Sequence, residues 1–539
     1  MIDRPPSRPR AAQENRDRTP WTRRDLLLVV ALLLLAGGLR FVRLADPNSL
    51  VFDETYYAKD ACLYLGLGQD FCGTPAATEQ SYVHPPLGKW LIAAGIKTFG
   101  YNSFGWRVSG AFVGTLLVLL VYLLARKLFR DRWVAGAAGF LAATDFLLIV
   151  QSRTSMLDIF VSFFVVIGFL FLAFDRDRVL LLKEHVRLPF PGNPPRREPE
   201  WRVLAGAALG LAVATKWSGI WALVAGVILA AVWSASLSVA YREAPGPGRG
   251  LPLGEFGLTV LSFAIVPVAV YLLSYVHFFA DVGFSPSEFG KLQKSMFDFH
   301  ANLTAEHSYQ SRAVTWPLVI RPIAYFYEGE PQATHILAFG NPVTWWAALG
   351  AGIWLVVRSV KRWAPERLVL AGWLIQYLPW VVLTDPLIAR FADEIATFGY
   401  LLVVIPIVMV GFFRNLRRFS SWSRGAVAAY AGFLFLTLVA APAAIAAVAP
   451  SIGRARAAIF FFYMTPIVPF MMIGLAAAIG ALREAGFGLG ADFARAVRAL
   501  TLVYLVAIAL LTAFFYPVIA AVGLPPEAWE DRMWFQSWI

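Results

Sequence analysis

Charged residues are scarce in this chain of 539 residues: they make up 15% of it, whereas apolar residues make up 58%. A soluble protein usually carries about a quarter of its residues as charged side chains, so a water-soluble multidomain protein is excluded. The apolar content also excludes an intrinsically disordered chain, and two cysteines are too few for a disulfide-built scaffold. Lipid must therefore be the solvent for much of the surface.

Sequence signatures of metal and nucleotide sites are lacking as well. No His or Cys spacing resembles a zinc site, and no glycine-rich phosphate loop or dinucleotide fingerprint occurs. A nucleotide-driven pump and an enzyme that uses a nucleotide sugar are therefore both disfavoured. We expect that no cofactor is required, and the sequence indicates no divalent cation.

The chain has instead a series of continuously apolar runs, each near the ~20 residues that a helix needs to cross hydrocarbon. They lack the alternation of a barrel strand, which predicts an all-α polytopic membrane protein with about 11–13 transmembrane helices. The short run at 203–215 is the weakest of them. The runs lie at 25–44, 106–125, 133–150, 157–174, 203–215, 217–240, 256–279, 342–357, 368–384, 396–413, 425–449, 458–482 and 499–518.

The net charge of +12 is explained by topology rather than by nucleic acid. If residues 1–24 form a disordered basic cytoplasmic tail and the runs alternate, 31 of the 47 Lys and Arg residues fall on the inner side. The sequence thus predicts a multi-pass plasma-membrane protein with a cytoplasmic N-terminus and no nucleic-acid partner. Two extracytoplasmic loops, at about 45–105 and 281–341, are long enough to carry short amphipathic helices.

Adjacent carboxylates, Asp53 and Glu54, follow the first apolar run. Two interpretations stay open for them. They could complement the dipole of a helix N-terminus, or Asp53 could be a general base just outside the bilayer, with Glu54 orienting it or binding substrate.

Further along this loop, Pro85 and Pro86 predict the start of an interfacial helix, with an apolar face at Leu87, Trp90, Leu91 and Ala94. His84 precedes that helix and is either a turn residue or an anion-site residue, whereas Lys89 is either a snorkelling side chain or a ligand. The ten-residue spacing of Cys62 and Cys72 permits a disulfide in an oxidising compartment without requiring one.

Three charged residues lie at outer helix ends between apolar segments. Arg153 and Asp158 bracket one junction, and Lys216 occupies a second. Unpaired charges there would be costly, so either structural ion pairs or a bound phosphate is expected. In the second outer loop, the aromatic-rich segments around His300 and His307 either cap a groove or rest at the membrane interface.

Taken together, these motifs resemble the protein O-mannosyltransferases, and the C-terminal residues are similar to those of actinobacterial-type members. The resemblance runs from about residue 25 to the end. It rests on Asp53-Glu54, His84-Pro85-Pro86-Leu87-Gly88-Lys89, Gln151-Ser152-Arg153, Met156-Leu157-Asp158, Lys216-Trp217, Asp298-Phe299-His300, Gly340-Asn341-Pro342, Trp345-Trp346, Gln376-Tyr377-Leu378-Pro379-Trp380, Phe462-Tyr463 and Arg532-Met533-Trp534-Phe535-Gln536-Ser537-Trp538-Ile539.

The resemblance implies a GT-C fold with an extracytoplasmic active site, a polyprenyl-phosphate mannose donor and Ser or Thr acceptors on exported proteins. Besides membrane lipid and these substrates, a link to the Sec translocon is an expected partnership. Transfer would be inverting, with Asp53 as base. The resemblance places the other site residues as follows: donor-binding His84, Lys89, Arg153, Asp158, Lys216 and Arg456, and acceptor-side Tyr57, His300 and His307.

Two rival functions remain. A related GT-C enzyme could move another sugar, such as an aminopentose, from polyprenyl phosphate to lipid or glycan, although such enzymes tend to carry Lys where His84 stands. A transporter is disfavoured because the charges cluster at outer helix ends rather than within the spans.

The resemblance divides the chain into a catalytic membrane module at 25–280, the second outer loop at 281–341, and C-terminal helices at 342–539. This chain departs from the family in two ways. The second loop is too short for the sugar-binding trefoil domain of eukaryotic members, and residues 384–455 form a probable two-span insertion. The insertion leaves Arg390, Arg454 and Arg456 as alternatives for the phosphate contact, with Arg456 preferred because Phe462-Tyr463 follows it.

Overall fold

The computed structural model describes residues 21–73, 83–186, 198–243, 253–302, 307–361, 365–384, 459–488 and 490–539. Within them, helices dominate and two short strands form one hairpin. In chain order the helices are α1 (Arg23–Phe41), α2 (Glu54–Tyr64), α3 (Gln69–Cys72), α4 (Leu87–Phe99), α5 (Ser103–Phe129), α6 (Arg132–Ala143), α7 (Phe146–Arg153), α8 (Leu157–Val186), α9 (Glu200–Thr215), α10 (Ile220–Glu243), α11 (Leu253–Val260), α12 (Val266–Ser274), α13 (Val276–Val282), α14 (Pro286–Ala301), α15 (Pro342–Lys361), α16 (Glu366–Thr384), α17 (Val468–Gly488), α18 (Ala491–Ile519) and α19 (Pro526–Glu530).

The multi-pass helical architecture agrees with the predicted class. Among the described residues, six helices are long and apolar enough to cross a membrane, or seven if the bent pair α6 and α7 counts as one span. The predicted runs at 396–413 and 425–449 lie outside the described residues, so the total of about 11–13 stays a prediction. The short run at 203–215 is part of α9, which has 16 residues.

The first span begins slightly before its predicted start. Helix α1 starts at Arg23, where the Thr22 hydroxyl accepts from the Arg24 amide and the Asp25 side chain bonds back to Thr22. This capping box satisfies amide groups that the helix start would otherwise leave without partners. The predicted tail at 1–24 therefore ends by residue 22, and residues 1–20 lie outside the described part of the chain.

Helix α5 lies at the centre of the N-terminal module, against α1, α4, α6, α7 and α8. A side-chain carbon at Gly114 would collide with the Ser152 hydroxyl on α7, and one at Gly110 would lie 3.1 Å from the Ser152 carbonyl oxygen. Glycine is needed here because the two backbones approach closely. That approach brings the end of α7 beside Gly110 and Gly114, in the first half of α5.

A bend of 56° separates α6 from α7. Asp145 lies at the break and caps α7 by accepting from the Leu148 amide at 3.0 Å. Its second carboxylate oxygen accepts from the Trp345 indole at 2.7 Å, which ties the break to α15. The predicted span at 133–150 is thus two shorter helices fixed by a buried carboxylate.

The predicted first outer loop contains α2, α3 and α4, and Cys62 and Cys72 are joined by a disulfide. Helix α4 begins after Pro85 and Pro86, as predicted. Its buried face is the one that carries Ile92, Ala93 and Ile96, whereas the predicted apolar face remains partly or fully exposed. That exposure suits a helix lying on the membrane surface.

The predicted second outer loop, at 281–341, follows α13 and contains α14 and a β-hairpin that the all-helical prediction missed. Strands β1 (Ile323–Glu328) and β2 (Thr334–Ala338) pair antiparallel. The consecutive aromatic residues Tyr325, Phe326 and Tyr327 of β1 and the Gly329-Glu330-Pro331 turn are its sequence signals. The end of the chain packs beneath the same loop, where the Trp538 indole donates to the Val319 carbonyl at 2.9 Å.

Candidate active site

The turn before α2 is strained and aromatic. Phe52 has a φ of 45°, a conformation that non-glycine residues rarely adopt. Its ring stacks on Tyr325 of β1, with ring centres 4.4 Å apart and planes 8° apart. Strain of this kind persists only where the surrounding structure enforces it, so the Phe52–Tyr325 stack fixes the turn that presents the next residue, Asp53.

Asp53 occupies the N-cap position of α2, yet its side chain makes no capping hydrogen bond. The carboxylate instead accepts from the Tyr57 hydroxyl at 3.2 Å. Burial raises the pKa of Asp53 to about 6, although nearby Lys216 and the Tyr57 hydrogen bond oppose the shift. The helix-start interpretation is correct for the position of Asp53, but the carboxylate is turned toward Tyr57 and Lys216.

Lys216 and Asp158 form a buried ion pair next to this carboxylate. The Lys216 ammonium lies 3.1 Å and 2.9 Å from the two carboxylate oxygens of Asp158. It also lies 4.7 Å from the ring centre of Tyr463 and 5.1 Å from that of Phe462. Both members of the pair act electrostatically on Asp53, so the structure brings these three predicted site residues together.

The carboxylate of Glu54 accepts five hydrogen bonds from within the protein. Its carboxylate accepts twice from Arg107 at 2.8 Å, and from the Trp106 indole at 3.2 Å. The backbone amides of Val51 and Ser155 each donate to it at 3.0 Å. A carboxylate has about four lone-pair sites, so the expected contact with sugar hydroxyls is wrong. Glu54 orients the turn that carries Asp53.

Arg153 lies at the C-terminal end of α1. Its guanidinium donates to the carbonyl oxygens of Leu39, Arg40, Val42 and Arg43, at distances between 2.7 Å and 3.2 Å. These carbonyls close the C-terminal end of α1, where helix termini leave acceptors without partners. The two terminal nitrogens of the guanidinium thus cap α1, and a contact between Arg153 and the donor phosphate stays a prediction.

Lys89 is buried in an ion pair within the first outer loop. Its ammonium lies 2.8 Å from a carboxylate oxygen of Asp60, and both side chains are buried. This pair joins α4 to α2 within the first outer loop. A buried ammonium does not fit the snorkelling alternative, and the donor contact of Lys89 stays a prediction.

The three predicted histidines divide into two places. His84 stacks on His300 with ring centres 5.2 Å apart, and it lies 5.9 Å from the Tyr57 ring. A ring nitrogen of His300 bonds the Val83 carbonyl at 2.8 Å, which joins the two outer loops. His307 is exposed and lies 5.1 Å from the ring of Phe460. His84 and His300 therefore share one wall beside Tyr57, and His307 belongs to another.

Tyr325 is a site residue that sequence reasoning missed. The Gln151 side-chain amide donates to its hydroxyl at 2.7 Å, and Asp53 and Asp158 both act electrostatically on it. Its position on an unpredicted strand hid this proximity.

Arg390, Arg454 and Arg456, with the predicted insertion at 384–455, lie outside the described residues. Within the described ranges, no group of three His, Cys, Asp or Glu side chains could hold a metal ion.

Comparison with known proteins shows which family this chain resembles in sequence. Residues 30–280 match the family described as dolichyl-phosphate-mannose-protein mannosyltransferase, and residues 286–389 match the C-terminal four-transmembrane region of protein O-mannosyltransferases. The polyprenol-phosphate-mannose–protein mannosyltransferase of Mycolicibacterium smegmatis (strain MKD8) is 33% identical over 397 residues, which cover 66% of this chain and 76% of that relative. The Corynebacterium glutamicum enzyme of the same name is 26% identical and covers 96% of this chain and 94% of its own length.

A solved structure shares the fold over nearly the whole chain. The S. cerevisiae protein O-mannosyltransferase Pmt1–Pmt2 complex bound to the sugar donor matches with a TM-score of 0.65 at 16% identity, covering 98% of this chain and 94% of that one. The helical frame is therefore the GT-C fold. By sequence and by fold, this chain belongs to the protein mannosyltransferase family, the membrane glycosyltransferases that use a lipid-phosphate sugar donor.

Proposed function

We propose that this chain transfers mannose from polyprenyl-phosphate mannose to Ser or Thr hydroxyls of exported proteins, with inversion, on the extracytoplasmic face of the plasma membrane. The observation that carries the proposal is the Asp53 carboxylate, which is raised in pKa to about 6, bonded by Tyr57 and placed beside the Lys216–Asp158 pair. A general base works best with a pKa near the operating pH. Asp53 meets that requirement at the outer end of the first span.

The proposed reaction is a single displacement. The acceptor oxygen attacks the anomeric carbon of mannose while Asp53 removes the hydroxyl proton, and the bond from that carbon to the phosphate oxygen breaks. The electron pair leaves with the polyprenyl phosphate. Tyr57 holds the base by its hydrogen bond at 3.2 Å, and Glu54 holds the backbone from which the base projects.

Lys216 is the proposed cation for the leaving phosphate. An ammonium group has three N–H donors, and Asp158 lies within 3.1 Å of this one through both of its oxygens. Asp158 thereby orients Lys216, and charge developing on the phosphate would strengthen the remaining interaction. Arg456 stays a proposed second phosphate ligand, on the resemblance alone, and a link to the Sec translocon stays a proposal about acceptor delivery.

The proposal is tested with purified full-length protein, polyprenyl-phosphate mannose labelled in the sugar, and a Ser- and Thr-containing peptide. We expect labelled peptide from the wild type and a loss of about 10²- to 10⁴-fold in Asp53→Asn, the range typical of a general base. Asp70→Asn removes an exposed carboxylate from the same loop and should transfer at the wild-type rate. Wild-type transfer by Asp53→Asn would overturn the base assignment.

Donor and acceptor class are tested in the same assay. An aminopentose donor with a lipid acceptor should give no product, and its use in preference to mannose and peptide would favour the rival enzyme class. Lys216→Met should lower transfer by about 10²- to 10³-fold, as loss of one charge-stabilising donor does. Lys291→Met, which removes an exposed lysine of α14, is the matched control and should have no effect.

A further inference from the structure

Tyr325 and Gln151 form a buried polar pair that the proposed reaction does not yet use. The Gln151 side chain on α7 donates through Nε2 to the Tyr325 hydroxyl on β1 at 2.7 Å. Gln151 is fully buried, whereas Tyr325 is 5% exposed, close to the 6% of Lys216. The amide is thus closed off from solvent, and the tyrosine is open to about the same small extent as the lysine of the site.

The tyrosine is held next to the proposed base. Its ring stacks on Phe52, the residue before Asp53, with ring centres 4.4 Å apart. The carboxylates of Asp158 and Asp53 both act electrostatically on its hydroxyl, yet neither forms a hydrogen bond with it. Across the described ranges, Gln151 is the hydrogen-bond partner of this hydroxyl, so a space remains between the hydroxyl and the two carboxylates.

The pair leaves the Tyr325 hydroxyl with a hydrogen to donate. A phenol has one O–H donor and also accepts, and Gln151 supplies a hydrogen to its oxygen. Burial raises the pKa of Tyr325 well above its ordinary value, so the O–H stays protonated.

The amide of Gln151 is retained at a cost. Its Oε1 is buried without a hydrogen-bond partner in the part of the chain that the structure describes, and an unsatisfied buried acceptor is unfavourable. An apolar side chain of similar size would avoid that cost. Retaining the amide is accounted for if its function is to orient the phenol.

The surroundings of this O–H favour a hydroxyl group as its ligand. An oxygen that accepts from Tyr325 lies near the carboxylates of Asp53 and Asp158. A phosphate oxygen is anionic and would be repelled by both, whereas a hydroxyl accepts from the phenol and can donate to a carboxylate. The transferred sugar and the Ser or Thr acceptor both offer hydroxyls. A second donor on the attacking oxygen would lower its nucleophilicity, which favours the sugar.

We propose that the Tyr325 hydroxyl binds a hydroxyl group of the transferred mannose and that Gln151 is the positioning residue that orients it. The inference rests on the proposed mannosyl transfer and adds a contact by which the site selects its sugar. This contact is separate from the ammonium of Lys216, which is proposed to meet the phosphate.

The experiment measures donor affinity by native mass spectrometry of the full-length protein in detergent, without acceptor peptide. Polyprenyl-phosphate mannose and polyprenyl phosphate, which lacks the sugar, are titrated separately. Tyr325→Phe keeps the ring that stacks on Phe52 and removes only the hydroxyl. It should bind the mannose donor roughly three- to tenfold more weakly, and polyprenyl phosphate as the wild type does. Retained binding of polyprenyl phosphate also shows that the variant is folded.

Tyr327→Phe is the matched control, because it removes a hydroxyl from an exposed tyrosine of the same strand. It should bind both lipids as the wild type does. Gln151→Met keeps the size of the side chain without its amide. It should weaken binding of the mannose donor, and it should add no further loss in the Tyr325→Phe background.

A set of monodeoxy donors, each lacking one sugar hydroxyl, identifies the bond itself. The wild type should discriminate against one member of the set, and Tyr325→Phe should discriminate against that member roughly three- to tenfold less. Equal discrimination by the wild type and Tyr325→Phe against every member would overturn the proposal.

Two other outcomes would also overturn it. Equal weakening of polyprenyl phosphate binding in Tyr325→Phe would place the contact at the phosphate. Unchanged donor affinity with a raised KM for the peptide would place it at the acceptor hydroxyl. Both outcomes leave mannosyl transfer standing, whereas a wild type that bound no polyprenyl-phosphate mannose would refute the proposed function itself.

Discussion

The Tyr57 hydroxyl donates to Oδ2 of Asp53 at 3.2 Å, across one turn of the same helix. Donor and acceptor are four residues apart on α2, so the hydrogen bond is set by helix geometry. Because Tyr57 is buried, the bond is also shielded from water. The proposed base thus has a fixed partner before any substrate arrives.

The pH dependence of transfer should follow the ionisation of the Asp53 carboxyl group. Burial raises its pKa to about 6, so the base is ionised above that pH and protonated below it. We expect kcat/KM to fall about tenfold per pH unit below pH 6 and to be level above pH 7. Asp70→Asn should show the same fall in kcat/KM below pH 6. A fall that began only near pH 4 would contradict the assignment of Asp53 as the base.

The stability of Asp53 variants follows from the same shift. A pKa raised in the folded state means that folding is favoured by the protonated form, fully below the unfolded pKa and progressively less as the pH rises through 6. Asp53→Asn cannot ionise, so at pH 7.5 it should melt no lower than the wild type. Thermal unfolding followed by tryptophan fluorescence provides the measurement, and a lower melting temperature would show that Asp53 is needed for folding.

Tyr57→Phe should slow transfer without unfolding the protein. In the wild type, the hydrogen bond from Tyr57 favours the ionised form of Asp53 and lowers its pKa. Its loss should raise that pKa, so kcat/KM should begin to fall at a higher pH. Transfer at pH 6 should fall roughly three- to tenfold. Tyr56→Phe is the control, because Tyr56 neighbours Tyr57 and is 62% exposed. If the pH dependence of kcat/KM in Tyr57→Phe were the same as in the wild type, Tyr57 would not tune the pKa of Asp53.

Glu54→Gln should act on stability rather than on sugar recognition. Removing one partner of a buried ion pair costs about 3–5 kcal/mol, and Arg107 would be left with an uncompensated charge. Glu288→Gln, in an exposed pair with Lys291, should change stability by less than about 1 kcal/mol. If Glu54→Gln melted like the wild type and had only a raised KM for the donor, direct sugar binding would be restored as its role.

Arg153→Gln separates helix capping from phosphate binding. The change removes charged donors from four carbonyl groups at the end of α1, so we expect a loss of about 2–4 kcal/mol in unfolding free energy. Protein that remains folded should keep the wild-type KM for the donor. Arg43→Gln removes a half-exposed arginine from the same connection and should be near neutral. A raised donor KM in stable Arg153→Gln would reverse this conclusion.

Sequence reasoning succeeded where a single residue's position determines its surroundings. The end of the first span places Asp53 at the membrane surface, and the apolar flanks of Asp158 and Lys216 predict that each needs a partner. It failed where several acceptors compete for one cation. Arg153, Lys89 and Lys216 look alike in the sequence as isolated charges. The packing of α4, α7 and α9 pairs them with α1 carbonyls, Asp60 and Asp158 respectively, and of the three it is Lys216 that acts electrostatically on Asp53.

Tyr325 was missed for a different reason. Its hairpin lies in a loop between membrane helices, where strand signals compete with the pattern of an interfacial helix. The contact between Tyr325 and Phe52 spans more than 270 residues of chain, and nothing local to either residue indicates it. The fold class was predictable from apolar runs, whereas the aromatic wall of the site required the tertiary structure.

The five hydrogen bonds to Glu54 have a consequence for substrate selection. They join the turn at Val51, the start of α5 and the start of α8 into one rigid body, and Asp53 is covalently next to it. The base therefore has little motion of its own, and the ordering entropy that a mobile base would lose during each turnover is lost once, during folding. We therefore expect adaptation to acceptors of different shape to come from the second loop, which carries His300 beside His84 and His307 beside Phe460. The first loop would then determine the chemistry, and the second loop would determine the range of acceptors.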